Sequence, residues 1–365
     1  HFILYVKKKN KKKLFKYIFF IKISFYKNYL RHFYNRAIEF IFYYNLNYIK
    51  VIKDYNVNSY QLKNLKIICS RSFLNYFSNT TYQHESLNFS EKTMKIKQKK
   101  IKIIYLTSDG IRIHLNRINK LKNKFIIIMG NSDLTIDNKT YGISKLINNK
   151  MLIKIYSQNI NIDHEKVIQL PIGVDFHSSF YYNFITKNKI FPFTSQKKLI
   201  ETIKLKTDKK FLIYCDFHFA MNSKRETCKK KLIKPLCFFP PKRVNQKIAW
   251  EKIRKHQFIA CPEGNGVDTH RIWESLLLGT IPIIKDNFLT PLYSKLPVII
   301  VKDWSQINKN YLKKQLKIIK SKKYDFSILF MRYWINKIYQ KKNISEKIKY
   351  NLFLSRFFKN NIKCF

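Results

Sequence analysis

From residue 101 onward the chain settles into one alternation: short β-branched or apolar runs separated by polar segments with helix-compatible composition. The first runs are IKIIYL (101–106), KFIIIMG (124–130), MLIKIY (151–156) and KVIQL (166–170). After a break come KFLIYC (210–215), QFIAC (257–261), TIPIIK (280–285) and PVIIV (297–301). Strands interleaved with helical segments predict an α/β fold with a parallel sheet. The break at 178–208, a mixture of aromatics with Lys, Thr and Ser, reads as the connection between two consecutive α/β units. The expected division is therefore 1–100, Lys- and aromatic-rich and unassigned; 101–205, a first α/β unit; 206–310, a second; and 311–365, closing helices.

Within the second set, one stretch carries more than fold information: CPEGNGVDTHRIWESLLLGTIPIIKD, residues 261–286. Pro262 forbids continuation of the strand FIAC, and Gly264, Asn265 and Gly266 tolerate positive φ. Asp268 is placed to cap the following helix and Gly279 to stop it. Such a strand-to-helix loop lies at the carboxyl end of a parallel sheet, where ligands bind, and the first helical turn favours an anion. His270 and Glu274 are four apart and Arg271 and Glu274 three apart, so the three cluster near the helix start. The remaining circumference is apolar or small, which makes burial of charge costly unless it is paired.

Two readings of that cluster stand side by side. In the simpler one, Arg271 and Glu274 satisfy each other as a helical ion pair. In the other, loop amides and Arg271 hold a nucleotide diphosphate while Glu274 takes ribose or sugar hydroxyls. A second loop of the same half, DFHFAMNSKRE after KFLIYC, again sets Asn222, Lys224 and Arg225 just past a strand end. In a lysine-rich chain this is also what an ordinary solvated helix start looks like.

Charge is the other broad signal, with 72 Lys and Arg against 22 Asp and Glu, a formal +50. Lys, Ile, Asn, Phe and Tyr are in excess together, the residues of A/T-rich codons, so coding bias accounts for much of it. Lysines run through almost every segment, whereas a dedicated polyanion site concentrates charge on one face. A chain 45% hydrophobic and 16% aromatic is not a disordered tail. The six cysteines (69, 215, 228, 237, 261 and 364) form no CxxC pair, so neither a zinc site nor a disulfide framework is indicated. The chain starts at His1, as a fragment would, and its first apolar run, LFKYIFFIKISFY, is broken by Lys16 and Lys22, short of the ~20 residues a spanning helix requires.

Residues 258–307 resemble the C-terminal nucleotide-sugar-binding region of exostosin-like glycosyltransferases, particularly small members from algae, protists and large viruses. LIKIYSQNINIDHEKVIQLPIGVDF (152–176) and FLIYCDFHFAMNSKRE (211–226) resemble earlier blocks of that family, in the same order, so the resemblance covers roughly 120–310. It implies two Rossmann-like domains facing a cleft, the glycosyltransferase B-type fold, with sugar transfer from a nucleotide donor and neither metal nor cofactor. The absence of any Asp-x-Asp agrees with this. By that resemblance Arg271 and Glu274 hold the donor, with Gly264, Asn265, Gly266, Asp268 and His270 around them and Asn222 and Arg225 across the crevice. Asn131 and Ser132 lie on the acceptor side, and Asp133 is the carboxylate first in line as base. Glu263 departs from the family, which often has Arg or Pro there.

Expected partners are a nucleotide sugar and a glycan or glycoprotein acceptor, with no specific nucleic acid. Membrane association would need a segment upstream of His1, and location in the Golgi or secretory pathway would follow only with such an anchor. The readings of another kind are a basic protein that binds nucleic acid or an anionic surface, and a glycosyltransferase fold that no longer turns over.

Overall fold

All eight runs named above become strands, and their β-branched residues supply the core of two sheets. The computed structural model describes residues 67–69, 72–77, 89–96, 99–107, 110–176, 192–232 and 234–339. The run LFKYIFFIKISFY, most of the unassigned N-terminal region, Cys364 and the chain after 339 lie outside them. Every described residue belongs to the single unit Val57–Phe365.

The first half opens with α1 (Ser72–Phe77) and β1 (Phe89–Ile96), followed by β2 (Lys99–Leu106), α2 (Gly110–Asn119) and β3 (Phe125–Met129). It continues through β4 (Ile136–Asp137), α3 (Ile143–Ile147), β5 (Leu152–Ser157), β6 (Ile160–Asn161) and β7 (Val167–Gln169). Five strands form a sheet in the order β1-β2-β3-β5-β7. The four inner and C-terminal strands are parallel, and β1 is an antiparallel edge. β4 and β6 pair separately. β1 and α1 fall in the region to which the sequence assigned nothing. FSEKTMKI alternates too many polar residues to announce a strand, and it is the pairing with β2 that makes it one.

Each face of this sheet has its own cover. Ile104, Leu106, Ile127 and Met129 pack under α2 and α3, with Leu115, Ile143 and Leu146. Ile101, Ile103, Tyr105, Ile126 and Ile128 point the other way, into a core shared with Ile67, Ile68, Phe73 and the second half.

The second half runs α4 (Pro192–Lys204), β8 (Lys210–Tyr214), α5 (Ser223–Lys231), β9 (Cys237–Phe238), α6 (Gln246–Arg254) and β10 (His256–Ala260), then α7 (His270–Leu277), β11 (Ile281–Lys285) and β12 (Ile299–Val301). α4 occupies part of the stretch expected to be a plain connection, while 177–191 lies outside the described residues. The closing helices are α8 (Lys309–Ser321) and α9 (Met331–Ile338). All five strands are parallel, in the order β12-β11-β10-β8-β9. From β8 the chain moves outward to β9, returns to the opposite side at β10, and continues outward to β12. The winding direction therefore reverses between β8 and β10. In open parallel sheets the loops at such a reversal part and leave a crevice for ligands. The molecule is thus an α/β protein with parallel sheets of the Rossmann-like kind.

Candidate functional site

Two loops leave the carboxyl ends of β8 and β10 at that reversal, residues 215–222 and 261–269. The first is locked by Asn222, which caps α5 by accepting from Arg225 N–H (2.9 Å) and donates through Nδ2 to the Gly264 carbonyl (3.2 Å). One asparagine thus starts a helix and ties the two loops together. Arg225 reaches from α5 to the Glu263 and Ala220 carbonyls, and its guanidinium lies against Gly264. Glu263, the residue that departs from the expected pattern, faces Lys224 in an ion pair. Its negative charge is thereby neutralised beside the loop.

Arg271 does not pair with Glu274. Its Nε lies 2.5 Å from Oδ1 of Asp216, the second residue beyond β8. The helical ion pair considered from spacing is replaced by a contact between the loops of the neighbouring strands β8 and β10. Both side chains are mostly covered, at 23% and 14% exposure. Burial works to lower the pKa of Arg271, but Asp216, with Cys261 and Glu274, outweighs it and holds the pKa above the ordinary value. Arg225 is shifted the other way, by burial and then by the charge of Arg271. Two guanidiniums and the Asp216 carboxylate therefore share the reversal point, with Glu274 a turn further in, beside the start of α7, whose dipole favours an anion.

Glu274, one turn into α7, accepts from the Asp175 N–H at 3.4 Å. Burial and then the nearby Asp175 carboxylate push its pKa up to about 7, against the opposing charges of His270 and Arg271. A raised folded pKa means the folded state binds a proton that the unfolded state does not, between about 4.5 and about 7. Stability from this group is complete below the lower value and is lost as pH rises through the upper one. Chemical denaturation of Glu274→Gln is expected to show a smaller loss of stability from pH 5 to pH 8 than the unsubstituted chain, and equal slopes would refute the shift.

Asp268 is corrected by the structure. Thr269 holds the N-cap position of α7, and Asp268 turns inward at 3% exposure. Its carboxylate accepts from Ile172 N–H (2.7 Å), Trp273 Nε1 (2.8 Å) and the Tyr293 hydroxyl (3.0 Å), and its own N–H donates to Asn159 Oδ1 (3.1 Å). Burial raises its pKa to about 6 despite those donors. Asp268 supports the loop from beneath and does not line its open side. His270 likewise binds across to the first half, its Nδ1 2.6 Å from the Gly173 carbonyl.

The loop after β3 meets the glycine loop from the other side. A Cβ on Gly266 would stand 3.1 Å from Asn159 Nδ2 and 3.3 Å from Asp133 Oδ1, a tight contact that any larger residue would have to relieve by shifting those side chains. Asn131 takes a left-handed φ of 56° and donates its N–H to Gln158 Oε1, while the Ser132 carbonyl accepts from Asn159 Nδ2. Asp133 is exposed and Asn265 is too, on either side of that contact.

The residues anticipated from sequence thus gather in one region, with Asp268 behind it. Asp216 and Asp175 were missed. Asp216 stands in the signal-bearing position, just beyond a strand end, but its partner is visible only once β8 and β10 are neighbours. Among the described residues no group of three or more His, Cys, Asp or Glu side chains is arranged to hold a metal. What these elements define is an α/β protein with a cationic site at a strand-order reversal. No protein-family model matches the chain, and no curated protein is significantly similar to it.

Proposed function

We propose that this chain is a glycosyltransferase of the exostosin-like type, with a B-type pair of Rossmann-like halves, moving a sugar from a nucleotide donor to a glycan or glycoprotein acceptor. The observation that carries the reading is the grouping of Arg225, Arg271 and the start of α7 at the β8/β10 reversal, with Glu274 one turn further in. Sugar transfer displaces a nucleoside diphosphate from an anomeric carbon through an oxocarbenium-like transition state. The group needing most help is the departing diphosphate, on which negative charge grows. Fixed guanidiniums and helix amides in a partly dry site stabilise that charge without reorganising. Glu274, with a pKa near 7, donates or accepts a hydrogen bond to ribose or sugar hydroxyls. Asp133, exposed against Gly266, is the carboxylate on the acceptor side available to take a hydroxyl proton.

The test is thermal stabilisation by UDP, GDP and CMP compounds. A nucleotide at a hundred times its dissociation constant is expected to add about 2.7 kcal/mol, and Glu274→Ala is expected to abolish most of that gain. No stabilisation of folded protein by any nucleotide would sink the reading and move the weight to a polyanion-binding protein.

A further inference from the structure

Asp216 was given no role by the donor reading, yet it is the residue on which the cationic site turns. Its Oδ1 is buried, with the Arg271 guanidinium its one close partner among the described residues, in an ion pair rather than an aligned hydrogen bond. The contact is made through Nε, the side of the guanidinium nearest its own stem. Arginine carries two usable edges, and engaging Nε leaves the terminal Nη groups for a second oxyanion. Without an anchor, an arginine that keeps some exposure samples several rotamers and loses entropy on binding anything. Arg225 close by would also repel an unanchored Arg271, since the charge of each disfavours the other.

We propose that Asp216 is a positioning residue. It clamps Arg271 by Nε so that the terminal edge of the guanidinium is presented, already ordered, to a diphosphate at the reversal between β8 and β10. The proposal rests on the donor reading for the identity of the anion and on the ion pair for the clamp. It carries a counter-intuitive sign: removing a negative charge from an anion site is expected to weaken anion binding. A site governed by net charge alone would gain affinity, whereas one governed by the orientation of a fork loses it.

The experiment is calorimetric titration of the whole chain with inorganic pyrophosphate, at fixed ionic strength, for wild type, Asp216→Asn and Arg271→Lys. Asp216→Asn is expected to bind about tenfold more weakly, the loss typical when an orienting partner is removed. Arg271→Lys, which keeps the cation but has no second edge, is expected to lose a similar factor and covers the case of an Asp216→Asn that fails to fold. Unchanged or tighter binding by either variant overturns the proposal. Should wild type bind no pyrophosphate, the donor reading falls, and the clamp is judged separately by phenylglyoxal modification read by peptide mass. Several-fold faster modification of Arg271 in Asp216→Asn than in wild type upholds the clamp, and an equal rate overturns it.

Discussion

Gly173→Ala is expected to destabilise the fold by roughly 2 to 6 kcal/mol, from about 1 to 3 for a side chain held at positive φ and about 1 to 3 or more for overpacking. Gly173 has φ 73°, and a Cβ there would lie 2.3 Å from the Ile68 carbonyl oxygen and 2.9 Å from the Cys69 nitrogen. Those atoms are backbone, tied down by the Val174 N–H bond to the same Ile68 oxygen and by the Ile68 N–H bond to Leu329. Neither can step aside as the end of a flexible side chain would. Gly279 is the control, because its φ of 71° is nearly the same while nothing lies within 4 Å of its Cβ position. Gly279→Ala is expected to lose only the conformational part, about 1 to 3 kcal/mol. Urea midpoints of the two variants separate strain from collision, and equal losses would show that the contact with Ile68 yields. The Gly173 carbonyl also receives His270, so the displaced variant is expected to lose nucleotide-induced stabilisation as well.

Asp268→Asn is expected to be the other severe substitution, and its size should depend on pH. The amide offers one acceptor oxygen and a pair of N–H donors where Ile172, Trp273 and Tyr293 all present donors. Each buried donor left unmatched costs about 1 to 3 kcal/mol. Acting against this, the variant no longer buries an ionised carboxylate. The folded pKa of Asp268, about 6 against an ordinary 3.8, makes the wild type lose stability as pH rises across that interval. At ~1.4 kcal/mol per unit the loss is about 3 kcal/mol, and Asn has no such loss. The substitution should therefore be more damaging at pH 4 than at pH 7, by about that amount. A difference independent of pH would mean that the Asp268 carboxyl titrates normally in the folded chain.

How much of this was legible in the sequence depended on the range of the interaction. The long Ile-rich strands announced themselves because a buried parallel strand is apolar along its whole length. The short pairs β4, β6 and β9 did not, since two residues carry no period and exist only through their neighbours. The end of α7 was readable at Gly279, a local matter of φ. Its beginning was not: Asp268 and Thr269 are both good caps by type. The choice between them was made by Trp273, Tyr293 and Ile172, two of which are far away in sequence. Arg271 is the same case. Spacing offered it Glu274, and the fold gave it Asp216, a strand-end carboxylate two β–α units earlier in the chain whose strand lies beside β10 in the sheet. Site residues could be nominated by type and position, whereas their partners followed only from strand order.

One further consequence concerns synthesis on the ribosome. The first sheet's second face is closed in part by segments far apart in sequence: Ile67 bridges Phe330, Phe73 meets Trp334 edge to face at 6.2 Å, and Tyr156 of β5 donates to the Lys337 carbonyl on α9. The Phe330, Trp334 and Lys337 side of that cover is translated last. After β7 emerges, about 170 more residues must be made before α9 can dock, on the order of ten to thirty seconds at ~5–20 residues per second. Through that interval Ile101, Ile103, Tyr105, Ile126 and Ile128 lack the part of their cover that α9 supplies. A nascent chain stalled before residue 331 is the species that a chaperone should recognise.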